Sequence, residues 1–312
     1  MSERPRIAVL YGGISAERDV SLGSGKAAAA ALETVFDVDR FDVVSEARLP
    51  ERLDPRRHVV FSTLHGSFGE DGTIQTMMDE AGVVYAGCDA KSSALTFDKV
   101  ETKRALRAAD VPVADEIALT PGEMIDATEV VARLGESVVL KPVAQGSSVG
   151  LTFARGELEI AAALSRCEKS WSWLIEPRIV GREATIGVLG DEALAIVEIK
   201  PKSGAFDYAS KYTKGLTEYV APAGFDEVFT RRIKVLATRA FAACGCRDYA
   251  RIDFMVDREG EPRFLEINTL PGLKETSLLP MSAGACGYNF EELLQKLVAP
   301  AILRYKLRYS LC

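Results

Sequence analysis

The chain has 312 residues, of which 47% are hydrophobic, enough apolar mass for two or three domains rather than one. Lys and Arg total 38 against 45 Asp and Glu, a formal charge of −7, so there is no electrostatic footprint for nucleic acid. Two histidines argue against a His-rich zinc centre, the N-terminal apolar run is too short for a secretory signal, and no run approaches the ~18 apolar residues of a membrane helix. Six scattered cysteines (Cys88, Cys167, Cys244, Cys246, Cys286 and Cys312), with a single Cys-x-Cys, read as reduced thiols of a cytoplasmic protein.

"RIAVLYGG" reads as a buried strand ending in glycines, and "ERDVSLGSGKAAAAALETV" as a helix starting near Ser15 or Ser21. "HVVFSTLHG" is a second strand, and "GTIQTMMDEAG" a helix closed by Gly82. Strands alternating with helices predict a parallel α/β domain over about the first 95 residues. "DKVETKRALRAADVP" is an amphipathic helix opening the next unit. "SVVLKPVAQGSSVGLTFA" reads as strand, glycine-rich turn and strand, followed by the helix "ELEIAAALSRC". "WLIEPRIVGREATIGVLGDEALAIVEIKP" gives further strands. The long polar stretch "KSGAFDYASKYTKGLTEYVAPA" leads into the helix "DEVFTRRIKVLATRAFAACG", then a hairpin, and a final helix from "NFEELLQKLV".

The hairpin "RIDFMVDREGEPRFLEINTLPG" poses a problem. Side chains alternate across a strand, so Ile252, Phe254 and Val256 share one face while Arg251, Asp253 and Met255 share the other. On the return, Leu265 and Ile267 alternate with Glu266 and Asn268. With "DREGEP" as the turn, Asp253 pairs with Glu266 and Arg251 with Asn268. Like charges directly opposite each other destabilise a sheet. Two carboxylates and an amide oxygen on one face would suit Mg²⁺, which takes oxygen ligands and shares them with substrate phosphates. The hairpin alone also fits two acids facing solvent, where their repulsion is weak.

The turn "QGSSVG", Gln145 to Gly150, follows an apolar strand and Lys141. Its glycines and serines suit close approach to a phosphate, although it is neither a Walker A nor a G-x-G-x-x-G motif. Lys99 and Lys141 are candidate cations for phosphate oxygens. In "LIEPRIVGRE", Glu176 ends a strand and Glu183 follows seven residues on, the arrangement of a segment that could line an adenine and ribose pocket.

Taken together, lysine, glycine-rich turn, hinge acid and a C-terminal Asp…Glu-x-Asn resemble the ATP-grasp fold. The motifs are similar to those of the D-alanine–D-alanine ligases. They run from "GGISAERDVSL" through "LHGSFGEDGTIQ", "KPVAQGSSVG" and "YASKYTKGLTEYVAPA" to "EINTLPGLKETSLLP", in family order over nearly the whole chain. The resemblance implies an N-terminal Rossmann-like α/β domain (1–97), a central ATP-grasp subdomain (98–182) and a C-terminal one (183–312) with a lid at about 202–222. It implies an ADP-forming ligase that joins two D-alanine molecules through an acyl phosphate, for peptidoglycan precursor synthesis. ATP and two Mg²⁺ ions would be needed, with Mn²⁺ able to substitute. The enzyme would be a cytoplasmic homodimer without nucleic-acid or membrane partners.

Residue by residue, the resemblance implies that Asp253, Glu266 and Asn268 bind the metals, Glu266 bridging them. Lys99, Lys141, Glu176, Ile179, Glu183 and Lys211 would hold ATP together with Glu266, and Gly146, Ser147 and Ser148 would lie over its phosphates. Glu17, assisted by His65, would take the first ammonium, and Arg251 with the Gly272 N–H the oxyanion. Ser277 and Leu278 would contact the second D-alanine, Ser277 through its carboxylate, and Ser147 and Tyr212 would tie the lid to Glu17. Two departures stand out. Gln145 replaces a common acid, which would alter the phosphate loop's hold on the active-site network, and Lys274 and Glu275 are charged where smaller polar residues are usual; these departures are expected to shift affinity for the second substrate rather than the reaction. The competing readings are a D-alanine–D-lactate or D-alanine–D-serine ligase and, from another class, a non-catalytic ATP-binding regulatory protein. The intact metal trio with Arg251 argues against the last.

Overall fold

The computed structural model describes residues 4–146, 148–202, 213 and 215–309. The first sheet contains β1 (Arg6–Gly12), β2 (Val38–Val43), β3 (His58–Ser62) and β4 (Val84–Tyr85), in the order β2-β1-β3-β4, with every pairing parallel. Helices α1 (Arg18–Leu32) and α2 (Thr73–Glu80) cover it. Ile7, Val9, Val59 and Phe61 pack with Ala28 and Leu32 of α1, while Ala8, Leu10 and Val60 pack with Ile74 and Met78 of α2. Burial on both faces explains why β1 reads as an unbroken apolar run. Edge strand β2 escaped the sequence expectations because its charges mask it: Arg6 Nε donates to Asp39 at 2.6 Å.

Helix α1 starts neither at Ser15 nor at Ser21. It begins at Arg18, with Glu17 at the N-cap position. Ser21 Oγ instead accepts the Gly12 N–H at 2.9 Å, and Ser15 Oγ donates to the His65 carbonyl at 2.9 Å. Both serines therefore serve tertiary contacts that local sequence cannot show.

After α3 (Ala90–Phe97), the Asp98 carboxylate accepts the N–H groups of Val100 and Glu101 and starts α4 (Lys99–Ala108), fixing Lys99 at its first turn. The second sheet is antiparallel: β5 (Ile117–Leu119), β6 (Ser137–Pro142), β7 (Thr152–Arg155) and β8 (Trp173–Pro177), ordered β5-β8-β6-β7. Helices α5 (Ala127–Leu134) and α6 (Gly156–Ser165) pack against it. The third sheet is also antiparallel: β9 (Gly181–Leu189), β10 (Glu192–Pro201), β11 (Thr217–Val220), β12 (Tyr249–Asp257) and β13 (Pro262–Asn268), ordered β11-β10-β9-β12-β13. Helix α7 (Glu227–Ala243) supplies its core through Ile233, Ala237 and Ala240. After α8 (Leu278–Gly284), α9 (Phe290–Tyr309) returns to the first sheet, where Leu293, Leu297 and Ala301 join Ile7 and Val59.

The expected hairpin register is present: Arg251 pairs with Asn268 and Asp253 with Glu266. One side chain departs from expectation. A bulge follows Asp253, so Phe254 pairs with Phe264 and Leu265 becomes the extra residue. Phe264, not Leu265, joins Ile267 in the core, its ring edge-on to Phe254. Within the stretch expected to be a lid, Thr217–Val220 is a strand paired with β10.

Candidate active site

Two cavities meet beside the β12–β13 hairpin. The larger, about 360 Å³, lies between the first and third sheets and is lined by Glu17, His65, Gly146, Arg251, Asn268, Gly272, Ser277 and Leu278, among others. The smaller, about 210 Å³, lies between the second and third sheets, with Lys141, Ser148, Glu176, Ile179, Glu183 and Asp253 in its wall. Lys99, Gln145, Phe264, Leu265 and Glu266 line both. Residues from positions 17 to 278 thus sort into two adjoining chambers with Glu266 at the partition. Ser147, Lys211 and Tyr212 lie outside the described residues, as do 203–210 and 214 of the expected lid.

In the smaller cavity the charges are already matched. Glu176, buried on β8, accepts from Lys141 Nζ at 2.6 Å and from Lys103 Nζ. Burial alone would raise its pKa, but Lys141 and Lys103 outweigh that effect and hold it below the ordinary value. Lys103, 2% exposed, also pairs with Glu116 at 2.8 Å. Lys99 Nζ donates to the carbonyls of Gln145 (2.7 Å) and Val143 (3.3 Å), and so grips the start of the glycine-rich turn. Ser148 continues that turn at φ 58°, a left-handed conformation uncommon outside glycine.

The larger cavity crowds like charges. A Cβ on Gly146 would stand 3.2 Å from Glu17 Oε2, close enough that the carboxylate would have to shift by a few tenths of an ångström, and 3.7 Å from Glu70 Oε2, an ordinary contact. Glu70 Oε2 accepts the Gly66 N–H at 2.6 Å. Burial, then the nearby Glu17 charge, pushes the Glu70 pKa up to about 8, keeping this acid protonated at neutral pH. His65 is pushed down to about 4 by burial and by the Arg251 charge, so its ring is neutral, and Nε2 has no hydrogen-bond partner among the described residues.

Arg251 answers the question raised by the paired carboxylates. Its Nε and Nη2 donate to Asp253 at 3.0 and 2.8 Å, and Nη2 stands 3.8 Å from Glu266. Burial opposes the guanidinium charge, but Asp253, then Glu266 and Glu70, more than compensate and raise its pKa. Thr185 Oγ1 also donates to Asp253. Arg251 therefore balances the acid pair in the ligand-free chain. Asn268 Oδ1, across from Arg251 in the ladder, is buried without a hydrogen-bond partner among the described residues. An orphaned amide oxygen beside two carboxylates fits a hard cation that completes its shell with phosphate oxygens. Among the described residues no three His, Cys, Asp or Glu form a self-sufficient metal cage.

Sequence reasoning missed Glu70, Lys103, Glu116 and Tyr219. Lys103 was within reach, since it sits one turn after Lys99 on the same face of α4. Glu70 is a single acid in a glycine-rich loop, where no periodicity marks burial. Tyr219 enters the larger cavity from β11, inside a stretch expected to be a lid.

The order of sheets and the chamber between two antiparallel ones define an ATP-grasp fold. The chain belongs to the D-alanine–D-alanine ligase family: residues 37–88 match the family described as D-ala D-ala ligase N-terminus and 105–299 that described as D-ala D-ala ligase C-terminus. It is 40% identical over 304 residues to the D-alanine–D-alanine ligase of Syntrophotalea carbinolica, covering 97% of this chain and 98% of the relative. It is also 40% identical over 314 residues to that of Thermotoga maritima, covering 97% and 99%. The Bacillus anthracis D-alanine–D-alanine ligase complexed with ATP superimposes with a TM-score of 0.84 at 28% identity, over 97% of this chain and 99% of that one. The VanG D-Ala:D-Ser ligase of Enterococcus faecalis gives 0.82 at 30% identity, over 96% and 100%.

Proposed function

We propose that this enzyme joins two D-alanine molecules, with ATP hydrolysed to ADP and phosphate, to supply D-alanyl-D-alanine for peptidoglycan. The observation that carries this is the shared wall of the two cavities. Lys99, Gln145 and Glu266 face both, so a nucleotide's terminal phosphate and an amino acid's carboxylate can meet there. The relatives at 40% identity support D-alanine as the acceptor over D-lactate or D-serine.

Glu176, Ile179 and Glu183 take the adenosine end of ATP. Lys99, Lys141 and the turn from Gly146 to Ser148 take the phosphates. Asp253, Glu266 and Asn268 would hold two Mg²⁺ ions, or Mn²⁺ in their place, and the metal neutralises phosphate charge when bound. Glu17, with neutral His65 beside it, holds the first D-alanine's ammonium. That substrate's carboxylate oxygen attacks the γ-phosphorus and ADP leaves, giving an acyl phosphate. The second D-alanine's free amine then attacks the acyl carbon, and phosphate leaves as the peptide bond forms. Arg251 and the Gly272 N–H stabilise the tetrahedral oxyanion, contacts of a kind often worth ~10²–10³ in rate. Arg251 must give up its bidentate hold on Asp253 to do so, which is favourable only while the Asp253 charge is otherwise balanced.

Ser277 and Leu278 contact the second substrate. Ser147, Lys211 and Tyr212 complete the assignment through the family resemblance, as loop and lid residues. The three sheets support division at about residues 97 and 182. No helix among the described residues is long and apolar enough to cross a membrane, and unpaired cysteines suit a cytoplasmic site, where ATP is supplied. A homodimer is assigned from the family resemblance. The test is ADP release from ATP and D-alanine with Mg²⁺, together with chromatographic identification of the dipeptide. ADP release that does not depend on D-alanine, or a depsipeptide formed in preference when D-lactate competes, would overturn the reading.

A further inference from the structure

The first and third sheets are joined at a seam where the segment after β4 meets the turn between α7 and β12. Gly87 is held there from both sides: its N–H donates to Asp248 Oδ2 at 2.9 Å, and its carbonyl accepts from Arg247 Nε at 3.0 Å. Asp248 also accepts from Arg304 Nη1 of α9 at 2.7 Å, and Tyr249, the first residue of β12, packs into the core of the first sheet. Cys88, 3% exposed, follows Gly87 and lays its sulfur over the opposite turn. It stands 3.6 Å from the Arg247 carbonyl and 3.8 Å from that of Tyr249. Cys246 immediately precedes Arg247, and its thiol is hydrogen-bonded to that of Cys88. Cys246 is only half-buried, so small solutes can reach the edge of this sulfur contact.

Two thiols in contact across a seam have a chemistry that ligation does not use. The hydrogen bond from Cys246, more than any other contact, favours the Cys88 thiolate and holds its pKa below the ordinary thiol value. Cys246 keeps its proton because it donates to that sulfur. Cys244 lies in the core of the third sheet, where burial, and then the Cys88 charge, pushes its thiol up to about 12 and leaves it inert. We infer that Cys88 and Cys246 are a redox modification site, at which a small hydroperoxide closes a reversible disulfide between the first and third sheets. The Cys88 sulfur attacks a peroxide oxygen, the O–O bond breaks, and Cys88 is left as a sulfenic acid. Cys246 then attacks that sulfur, the S–O bond breaks, and hydroxide leaves as water with the Cys246 proton. The sulfur pair gives up two electrons and the peroxide takes them. Cys88 precedes α3 and α4, which carry Lys99, and Cys246 precedes β12, which carries Arg251 and Asp253. The two cysteines are 158 positions apart, so the bridge removes much closure entropy from the unfolded chain. The folded seam is already hydrogen-bonded, so oxidation stabilises the fold and leaves the cavity wall in place. It also diverts the thiolate from irreversible oxidation to sulfinic acid.

In the experiment the full chain is reduced, freed of reductant and treated with hydrogen peroxide. Mass spectrometry of tryptic peptides should show the Cys88 peptide joined to the Cys246 peptide with the loss of two hydrogens. Fragment ions separate Cys246 from Cys244, and dithiothreitol should restore both thiols. The melting temperature should rise by about 5 °C on oxidation, and ADP release with D-alanine should be retained. In Cys246→Ser the same treatment should leave the melting temperature unraised and add oxygen at Cys88, because the sulfenic acid then has no thiol to resolve it. Cys286→Ser removes an exposed thiol instead and should behave as wild type. The wild-type peptide map decides the bridge even where Cys246→Ser folds poorly. A bridge between Cys244 and Cys246, sulfinic acid at the pair without a bridge, or a bridged protein that melts no higher than the reduced one would overturn the inference. The bridge is read by mass, so its failure is distinct from a failure of the dipeptide-ligase reading.

Discussion

The two cavities share a wall, yet they solve the problem of buried charge in opposite ways. In the smaller one Glu176 is matched by Lys141 and Lys103 before any ligand arrives, and Lys103 is itself braced by Glu116. In the larger one Glu17, Glu70 and Glu266 crowd together beside Arg251, which is committed to Asp253, His65 Nε2 and Asn268 Oδ1 lack hydrogen-bond partners among the described residues, and Glu70 holds its proton. The nucleotide side is preorganised. The amino-acid side stores unsatisfied polarity that an ammonium and hard cations are suited to relieve, which couples binding to the formation of a reactive centre.

The largest expected effect comes from removing Arg251, which holds Asp253 on the crowded side. Arg251→Ala leaves Asp253 buried without its bidentate partner, so it should lose about 3 kcal/mol of stability as well as at least ~10²-fold in turnover. Denaturant melts and single-turnover rates would check both, and a variant of wild-type stability would mean that Arg251 does not balance Asp253. Glu266→Gln acts differently. Its carboxylate is 3.8 Å from Arg251 but near other acids, so the ligand-free melting temperature should barely move. Turnover should nonetheless vanish, along with the stabilisation by saturating Mg²⁺–ATP (about 2.7 kcal/mol at a hundred times Kd). Normal turnover would sink the metal assignment.

On the preorganised side, Lys103→Met should cost about 2 kcal/mol, since it leaves Glu176 with one lysine and Glu116 with Arg107. The kinetic defect should appear in the KM for ATP rather than for D-alanine. An equal rise in both would erase the contrast between the cavities. The subtlest test is pH. Glu70 has a folded pKa raised to about 8 from an ordinary carboxylate value, so its contribution is fully present at low pH and is lost as pH rises towards 8. The ligand-free melting temperature should therefore fall more steeply between pH 5 and 8 in wild type than in Glu70→Gln, by about 2 °C per pH unit. Parallel slopes would show that Glu70 is ionised throughout.

Much of this arrangement is visible along the chain, because it rests on short-range rules. Strand alternation alone paired Asp253 with Glu266 and Arg251 with Asn268. Of the residues that the family resemblance gave to ATP, Lys141, Glu176 and Glu183 line the smaller cavity and Lys99 lines both, while Glu17, Arg251, Gly272 and Ser277, given to the amino acids, line the larger. The rest depends on contacts between distant segments. The bulge that turns Leu265 toward the cavities arises because Phe264 fits the core against Phe254. Charged β2 is a strand because β1 lies beside it.

The sequence by itself determined most of the elements, the Arg251–Asn268 and Asp253–Glu266 pairs of the hairpin and much of the chemical inventory of the site, since backbone geometry repeats locally and residue types carry their own chemistry. Only the tertiary structure decided the ionisation states. Glu70 holds a proton because burial and Glu17 act on it together, and Arg251 holds Asp253 because a buried carboxylate requires a partner. Lys274 lies across Gly23, 251 positions away in the chain, because the two segments meet at α1. Desolvation and Coulomb energy depend on distance through space, and separation along the chain does not encode that distance.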